Sequence, residues 1–216
     1  YCLLACFLLP VVLPGEEPAS LSGKNPEQAQ KEGSTQLPSS VKEILKSYTV
    51  VAFYGNPNSR GMGILGEFPS IEEMSKDLRS YADAFDAANG DKGVVPAFHI
   101  IFATAYPHGE IGYLGKKKLL EYIEFAEKNG IVVILDHQIG KFPVAAAVKS
   151  MLPYLKYPNV HLAIDPEWAT ENPGKEIGSV SAEDLNEAQA LMQKYLEDTG
   201  IEGEKMLVVH QFNWRM

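Results

Sequence analysis

Cysteine is almost absent from this chain, because its two cysteines, Cys2 and Cys6, both lie at the very beginning of the sequence. The remaining sequence therefore excludes disulfide bonds and thiol chemistry. Basic residues are also few: 19 Lys and Arg stand against 28 Asp and Glu, which gives a net charge of -9. Nucleic-acid-binding proteins need basic stripes that contact phosphates, whereas the run of lysines at 116–118 fits a solvated helix start. We therefore expect no nucleic-acid partner.

Sequence motifs for nucleotide and metal binding are missing as well. No Gly-x-Gly-x-x-Gly loop follows the first predicted strand, and Gly61-Met62-Gly63 belongs to a long irregular loop, not to the tight strand-to-helix turn of a dinucleotide-binding site. The chain has neither a His-x-His nor a His-Glu-x-x-His spacing, the patterns typical of zinc enzymes. The motifs thus predict no cofactor and no bound metal.

The first residues form an apolar run, Tyr1–Leu13. This run is too short to span a bilayer and matches the apolar core of a signal peptide. Leu3-Leu4-Ala5-Cys6 resembles a bacterial lipobox, in which Cys6 would be lipidated; an ordinary cleaved signal with incidental cysteines is the alternative. We expect residues 1–14 to direct export to the cell envelope or the extracellular space, with membrane contact only through this signal or a lipid anchor.

The next segment, residues 15–40, is dominated by Gly, Pro, Ser, Glu, Gln and Lys. Such a composition cannot bury enough apolar surface to offset the entropy of ordering, so it predicts a flexible linker. Residues 41–216 have the apolar content of a folded domain, and 45% of the whole chain is apolar. We interpret them as the N-terminal part of one barrel domain.

Strands and amphipathic helices alternate along this domain. The predicted strands are 49–54, 94–105, 131–135, 160–164 and 206–209, and helices are predicted at 41–48, after Ser70, around 119–126, after Pro143 and from Ser181 to Gly200. Strands that are separated by helices pair in parallel through right-handed crossovers. The pattern predicts an α/β fold, a parallel TIM-type (β/α)8 barrel of which about five units are present; such a barrel needs ~250 residues. An open doubly wound sheet is the alternative.

Polar side chains cluster at the predicted carboxyl ends of these strands, where α/β enzymes carry their active sites. Carboxylates, amides and aromatic rings together suit a carbohydrate or another small polar ligand. Glycosidases use two carboxyl groups, one of which donates a proton. We predict Glu167 as the acid, with Asp165 or Asp136 as its charged partner, because alternation along an extended strand would place Asp165 and Glu167 on one side. The predicted substrate-binding residues are Tyr54, Asn56, Gln138, Trp168, His210 and Gln211.

Two resemblances accompany this interpretation. Residues 163–168, Ala-Ile-Asp-Pro-Glu-Trp, resemble the fourth-strand Asp-x-Asp-x-Glu signature of chitinase-like glycosidases, although Ala163 stands where the signature has its first Asp. Residues 162–168, 177–180 with Asn186, and 207–212 are similar to a group of hypothetical exported bacterial proteins and predicted lipoproteins with a glycosidase-like barrel. The second resemblance implies the fold and the export, and it implies no catalytic residue.

Two other functions remain open at this stage. A metal-dependent hydrolase could use Asp136, His137, Asp165 and His210, but Asp136 and His137 are neighbours and would face opposite ways in a regular strand. A non-catalytic surface protein could use the same barrel mouth to bind a ligand. His99 and His161 are interpreted as core residues, because a lone histidine inside an apolar strand is more often structural than functional.

Overall fold

A computed structural model describes residues 37–211, so the predicted signal peptide, most of the predicted linker and residues 212–216 lie outside the described part. The helices are α1 (Val41–Ser47), α2 (Ile71–Ala88), α3 (Lys116–Lys128), α4 (Val144–Met151) and α5 (Ala182–Thr199). The strands are β1 (Tyr48–Gly55), β2 (Gly93–Ala105), β3 (Ile111–Tyr113), β4 (Val132–Gln138), β5 (Val160–Asp165) and β6 (Leu207–Val209). The alternation of strands and helices that the sequence predicts is confirmed.

The strands form one sheet in the order β1-β2-β4-β5-β6, and all four pairings along this order are parallel. The five parallel strands curl into half a barrel. Parallel neighbours need a crossover between them, and α2, α3, α4 and α5 occupy those crossovers. The predicted α/β class with a barrel-like parallel sheet is therefore confirmed.

The two faces of the sheet are buried in different ways. The helix-covered face holds the larger core, in which Phe98, Leu135 and Leu162 pack with residues from the helices such as Leu78 and Ile123. The opposite face, here called the inner face, carries a smaller apolar cluster: Val95, Ala97, Val132, Ile134 and Ala163. Because both faces bury apolar side chains, the central strands read as nearly continuous apolar runs.

A third strand that the sequence did not predict pairs with the end of β2. Residues 111–113 run antiparallel to Ala103–Ala105, after a turn that contains His108 and Gly109 with φ of 66° and 69°. This pairing prolongs β2 beyond its parallel neighbours, because Ala103 is its last residue in register with β4. The carboxyl end of β2 is consequently displaced from the ends of the other parallel strands.

The chain enters the domain through residues of the predicted linker. Leu37 packs against the small apolar cluster of the inner face, and the Ser40 hydroxyl accepts a hydrogen bond from the Glu43 amide at the start of α1. At the other end of the domain, Ser181 and Asp184 form a capping box on α5, and Gly200 ends that helix in the left-handed conformation. Among the helices within residues 37–211, none has the length and apolar character needed to cross a membrane.

Candidate functional site

Five polar side chains, one from each parallel strand or its end, meet on the inner face above the apolar cluster. This polar cluster consists of Tyr54, His99, Asp136, Asp165 and His210. Strand alternation explains the placement: Asp136 is two residues beyond Ile134, and Asp165 is two residues beyond Ala163, both of which face inward. Pairing in register sets Tyr54 directly beside His99. The fold thus collects in one place residues that are far apart in sequence.

Two imidazoles form the centre of the polar cluster. The Nε2 atoms of His99 and His210 are 3.2 Å apart, and the ring centroids are 5.0 Å apart. The ring of Tyr54 packs edge-on against both, with centroids at 5.1 Å from His99 and 5.9 Å from His210. Burial and the charge of His210 lower the pKa of His99 to about 3, so His99 is neutral at ordinary pH.

His210 is paired with a carboxylate. Its Nδ1 atom lies 3.3 Å from Oδ1 of Asp165, which is an ion-pair distance without the alignment of a hydrogen bond. Burial lowers the pKa of His210, but the interaction with Asp165 and the negative charges of Asp136 and Glu167 outweigh it and raise this pKa to about 9. With no other ligand bound, His210 therefore carries a positive charge at neutral pH.

Asp136 is the most deeply buried member of the cluster, with 0% of its surface exposed. The Tyr54 hydroxyl donates a hydrogen bond to its Oδ2 atom at 3.2 Å, whereas Oδ1 is buried without a hydrogen-bond partner. Burial raises the pKa of Asp136 to about 7, with His210 opposing and the charge of Asp165 reinforcing this rise. A buried carboxylate oxygen without a partner is costly, so this atom is poised to bind a proton or a cation.

Glu167 lies beside the cluster and not in the strand. The strand ends at Asp165, and residues 166–168 form a short 3-10 helix. Strand alternation therefore does not extend to Glu167, and the argument that placed it on one side with Asp165 is wrong for that reason. Burial and the charge of Asp165 nevertheless raise the pKa of Glu167, and the charge of Glu167 contributes to the raised pKa of Tyr54 and His210. Glu167 is thus electrostatically part of the site.

Two of the predicted binding residues are engaged in holding the structure. The side-chain oxygen of Gln138 accepts a hydrogen bond from the Ala105 amide at 3.0 Å, which joins the ends of β4 and β2. Asn56 donates to the Thr104 hydroxyl at 3.2 Å and accepts from the Asn58 amide at 2.9 Å. Trp168 is half-buried at the end of the 3-10 helix, and Gln211 is exposed immediately after His210.

Main-chain hydrogen bonds join the loops around the site. The Lys141 amide donates to the Gly109 carbonyl at 3.1 Å, and the Gly140 amide donates to the Trp168 carbonyl at 2.9 Å. A further bond of 2.7 Å runs from the Gly178 amide to the Glu167 carbonyl. Glycine is needed at 140, where φ is 68° and a Cβ atom would lie 2.4 Å from the Gly109 carbonyl oxygen. The three loops that these bonds join, residues 106–110 after β2, 139–143 after β4 and 166–181 after β5, are together called the laced rim below.

A shallow groove lies in the laced rim, between the loops that follow β4 and β5. It is lined by residues 139–144 and 169–171, with Ser179, Val180 and Asp184. None of the five cluster residues lines this groove. The groove and the cluster are therefore neighbouring features, connected through Trp168, whose carbonyl bonds to Gly140.

The histidines of the central strands lie in different surroundings. His137 lies on the helix-covered side, with its ring 5.8 Å from that of Tyr113, which confirms that it cannot join Asp136. His161 is a core residue as predicted, because its Nδ1 accepts a hydrogen bond from the Met206 amide at 3.1 Å. His99 is buried as well, as predicted, but it also belongs to the polar cluster, with its Nε2 atom 3.2 Å from that of His210, and the prediction did not anticipate this placement. His99 lies two residues after Ala97 and four after Val95, so strand alternation places all three on the inner face. This spacing is the signal that could have revealed the position of His99.

Comparison with protein-family models, with curated proteins and with solved structures finds no match for this chain.

Proposed function

We propose that the protein is an exported, glycoside hydrolase-like barrel protein that acts on carbohydrate through Glu167 and Asp165. The observation that carries this proposal is the pair of acids at the carboxyl end of β5, in which burial and the charge of Asp165 raise the pKa of Glu167. A carboxyl group with a raised pKa beside a second carboxylate is the arrangement that glycosidases use. We further propose that the half-barrel belongs to a TIM-type (β/α)8 barrel, whose active sites lie at this edge of the sheet.

The proposed chemistry assigns a separate role to each acid. Glu167 is half-buried, so it can hold a proton and still reach a substrate. It would donate this proton to the oxygen of the leaving sugar, as a general acid does. Asp165 is itself buried, with 1% of its surface exposed, so it would act without touching the sugar: its charge raises the pKa of Glu167 and would favour, at a distance, the positive charge that develops on the sugar ring. Asp136 lies too deep to touch a sugar, because its side chain is fully buried, and it takes no direct part in this chemistry.

The laced rim supplies the surface on which a sugar chain would rest. Trp168 is half-buried next to Glu167 and could stack on the apolar face of a pyranose. The adjoining groove carries Thr170, Glu171, Ser179 and Asp184, which are hydrogen-bonding side chains suited to sugar hydroxyls. We assign Asn56 and Gln138 an indirect role, since their side chains hold the backbone near Thr104 and Ala105.

The proposed location outside the cytoplasm rests on sequence alone. The apolar run Tyr1–Leu13 has the character of a signal-peptide core, and Cys6 stands at the position that a lipobox would modify. Both features lie outside the described residues. Carbohydrate polymers of the cell envelope are the substrates that an exported enzyme of this kind would meet.

The test compares Glu167→Gln with Glu187→Gln in the complete protein. Glu187 is an exposed acid on α5 that does not line the groove, so the second variant controls for loss of one negative charge. Sugar release from polysaccharides and peptidoglycan fragments should fall ~10²–10⁴-fold in Glu167→Gln, the usual loss when a general acid is removed. It should stay unchanged in Glu187→Gln, and sugar binding should persist in both.

Sugar release that survives Glu167→Gln undiminished would refute the assignment of Glu167. Binding of sugar by the wild-type protein without any turnover would instead identify a non-catalytic carbohydrate-binding protein.

A further inference from the structure

We propose that His99, Asp136 and His210 bind one divalent transition-metal ion of the zinc class at the base of the site. The inference goes beyond the proposed glycosidase function: Glu167 and Trp168 take no part in it, and Asp165 is the one residue that belongs to both proposals. It also differs from the set of metal ligands that the sequence indicated, since His99 replaces His137 and Asp165 is not a ligand.

The distances between the three residues fit such an ion. Each of them offers one ligand atom, and these atoms all lie within 4.8 Å of one another. The two Nε2 atoms are 3.2 Å apart. Zinc binds imidazole nitrogen at about 2.0–2.1 Å in a tetrahedron, so two ligating nitrogens lie about 3.3 Å apart. The histidine pair thus already has the separation of two zinc ligands.

The surroundings of the three residues are those of metal ligands. A ligating histidine usually has its other ring nitrogen against a carboxylate, and ligating carboxylates are themselves hydrogen-bonded. His210 has Oδ1 of Asp165 at 3.3 Å from its Nδ1, and Asp136 accepts the Tyr54 hydroxyl on Oδ2. Asp165 and Tyr54 are therefore positioning residues, which orient the ligands without touching the ion.

A hydrogen bond between the two histidines explains only part of this arrangement. One imidazole can donate to the other across 3.2 Å, but such a bond does nothing for Oδ1 of Asp136, which is buried and has no partner. A cation between the rings and this carboxylate satisfies all three residues together. This buried unpartnered oxygen is the independent observation that favours an ion over a simple hydrogen bond.

The ligand types decide the class of ion. Two imidazoles and one carboxylate suit zinc, cobalt, nickel or iron(II), whereas calcium and magnesium prefer oxygen ligands alone. Three protein ligands also leave one position of a tetrahedron open, as in catalytic and not in structural zinc sites.

The experiment titrates the chelator-treated, complete protein with zinc chloride by calorimetry and with cobalt chloride by visible absorption. We expect one equivalent of metal to bind and cobalt bands typical of a tetrahedral site. His99→Ala and Asp136→Asn should each weaken zinc binding at least 100-fold. His108→Ala is the matched control, because His108 is an exposed histidine outside the cluster, and it should bind zinc as the wild type does.

Two further variants make the result decisive. Asp165→Asn should weaken zinc binding about 10–100-fold, the usual effect of removing an outer-shell partner, while the cobalt spectrum persists. Glu167→Gln should still bind one equivalent of zinc, so failure of the glycosidase proposal and failure of this one are distinguishable. If His99→Ala does not fold, the nearly isosteric Asp136→Asn still provides the test. Absence of stoichiometric binding, or binding that is undiminished in Asp136→Asn, would overturn the proposal.

Discussion

His210 is paired with Asp165 through its side chain and is bonded through its amide to the preceding residue of β5, Ile164. The Nδ1 atom of His210 lies 3.3 Å from Oδ1 of Asp165, and the His210 amide donates to the Ile164 carbonyl at 3.1 Å. The second bond continues the parallel pairing of β6 with β5 by one residue, so the main chain fixes the place from which the imidazole extends. The ring then has Asp165 at one nitrogen and His99 at the other. The position of His210 is thus set by backbone and side chain together.

The hydroxyl of Tyr54 should contribute measurably to stability. Tyr54→Phe removes the side-chain donor to Oδ2 of Asp136, a fully buried carboxylate whose Oδ1 already has no hydrogen-bond partner. Loss of a partner to a buried polar group costs roughly 1–3 kcal/mol. Urea unfolding at neutral pH should show this decrease in the free energy of unfolding.

Tyr106→Phe is the control for that experiment, because the Tyr106 side chain is 54% exposed. It should unfold like the wild type. Equal stabilities of the two variants would show that the Tyr54 hydroxyl contributes nothing through Asp136.

Acid should destabilise the protein through His161. Burial and the charge of Lys205 lower the pKa of His161 from 6.5 to about 3, so the folded state keeps this imidazole neutral while the unfolded state protonates it below pH 6.5. Stability is therefore fully present above pH 6.5 and falls as the pH decreases towards 3. At pH 5.5 the loss from this one residue is about 1.4 kcal/mol.

His161→Asn tests this prediction, since a side-chain amide oxygen can still accept from the Met206 amide but does not titrate. The difference in unfolding free energy between pH 7.5 and pH 5.5 should shrink by about 1.4 kcal/mol. His108→Asn, at an exposed histidine, should keep the wild-type difference. An acid dependence that is the same in all three proteins would disprove the contribution of His161.

The protonation of Glu167 should depend on its neighbour. Burial and the charge of Asp165 raise the pKa of Glu167 above its ordinary value of 4.5, so the midpoint of its carboxyl titration should lie above 4.5. Asp165→Asn removes the neighbouring negative charge and should move this midpoint downwards. The measurement is an NMR titration of the metal-free protein labelled with ¹³C in the glutamate side-chain carboxyl groups, with Glu167→Gln used to assign the signal. A midpoint at the ordinary value in the wild type would contradict the prediction.

Much of the fold could be predicted because the local signals agree with the tertiary structure. The capping serine at 70, the glycine at 200 and the apolar strand runs all mark elements that form. Strand ends also pointed to Asp136, Asp165 and His210, which the structure brings together, since neighbouring parallel strands end at the same edge of a sheet. The short strand β3 was missed because its three residues carry no periodic signal and depend on β2 for their pairing.

The members of the candidate site were harder to predict where they do not lie at the end of a strand. His99 lies in mid-strand, six residues before β2 ends, because pairing with β3 carries β2 past its neighbours. The residues at the apparent end of that strand, Tyr106 and His108, are exposed, whereas the cluster residues of β2, β4 and β5 are buried. For Gln138 the residue type was noticed, but its partner is a backbone amide on another strand, which no sequence pattern reveals.

The laced rim has a consequence for how this molecule can change over evolutionary time. Its three loop-to-loop bonds join main-chain atoms of Gly109 and Lys141, Gly140 and Trp168, and Glu167 and Gly178. Such bonds survive almost any exchange of side chain, apart from the glycines at 109, 140 and 178, where a Cβ atom would lie 2.8 Å, 2.4 Å and 2.5 Å from its nearest neighbouring atom. Side chains at 141, 170 and 171 can therefore vary while Glu167 keeps its place. The character of the groove and the rigidity of the scaffold are therefore separable, so side chains around the groove can change without altering the geometry of the acids.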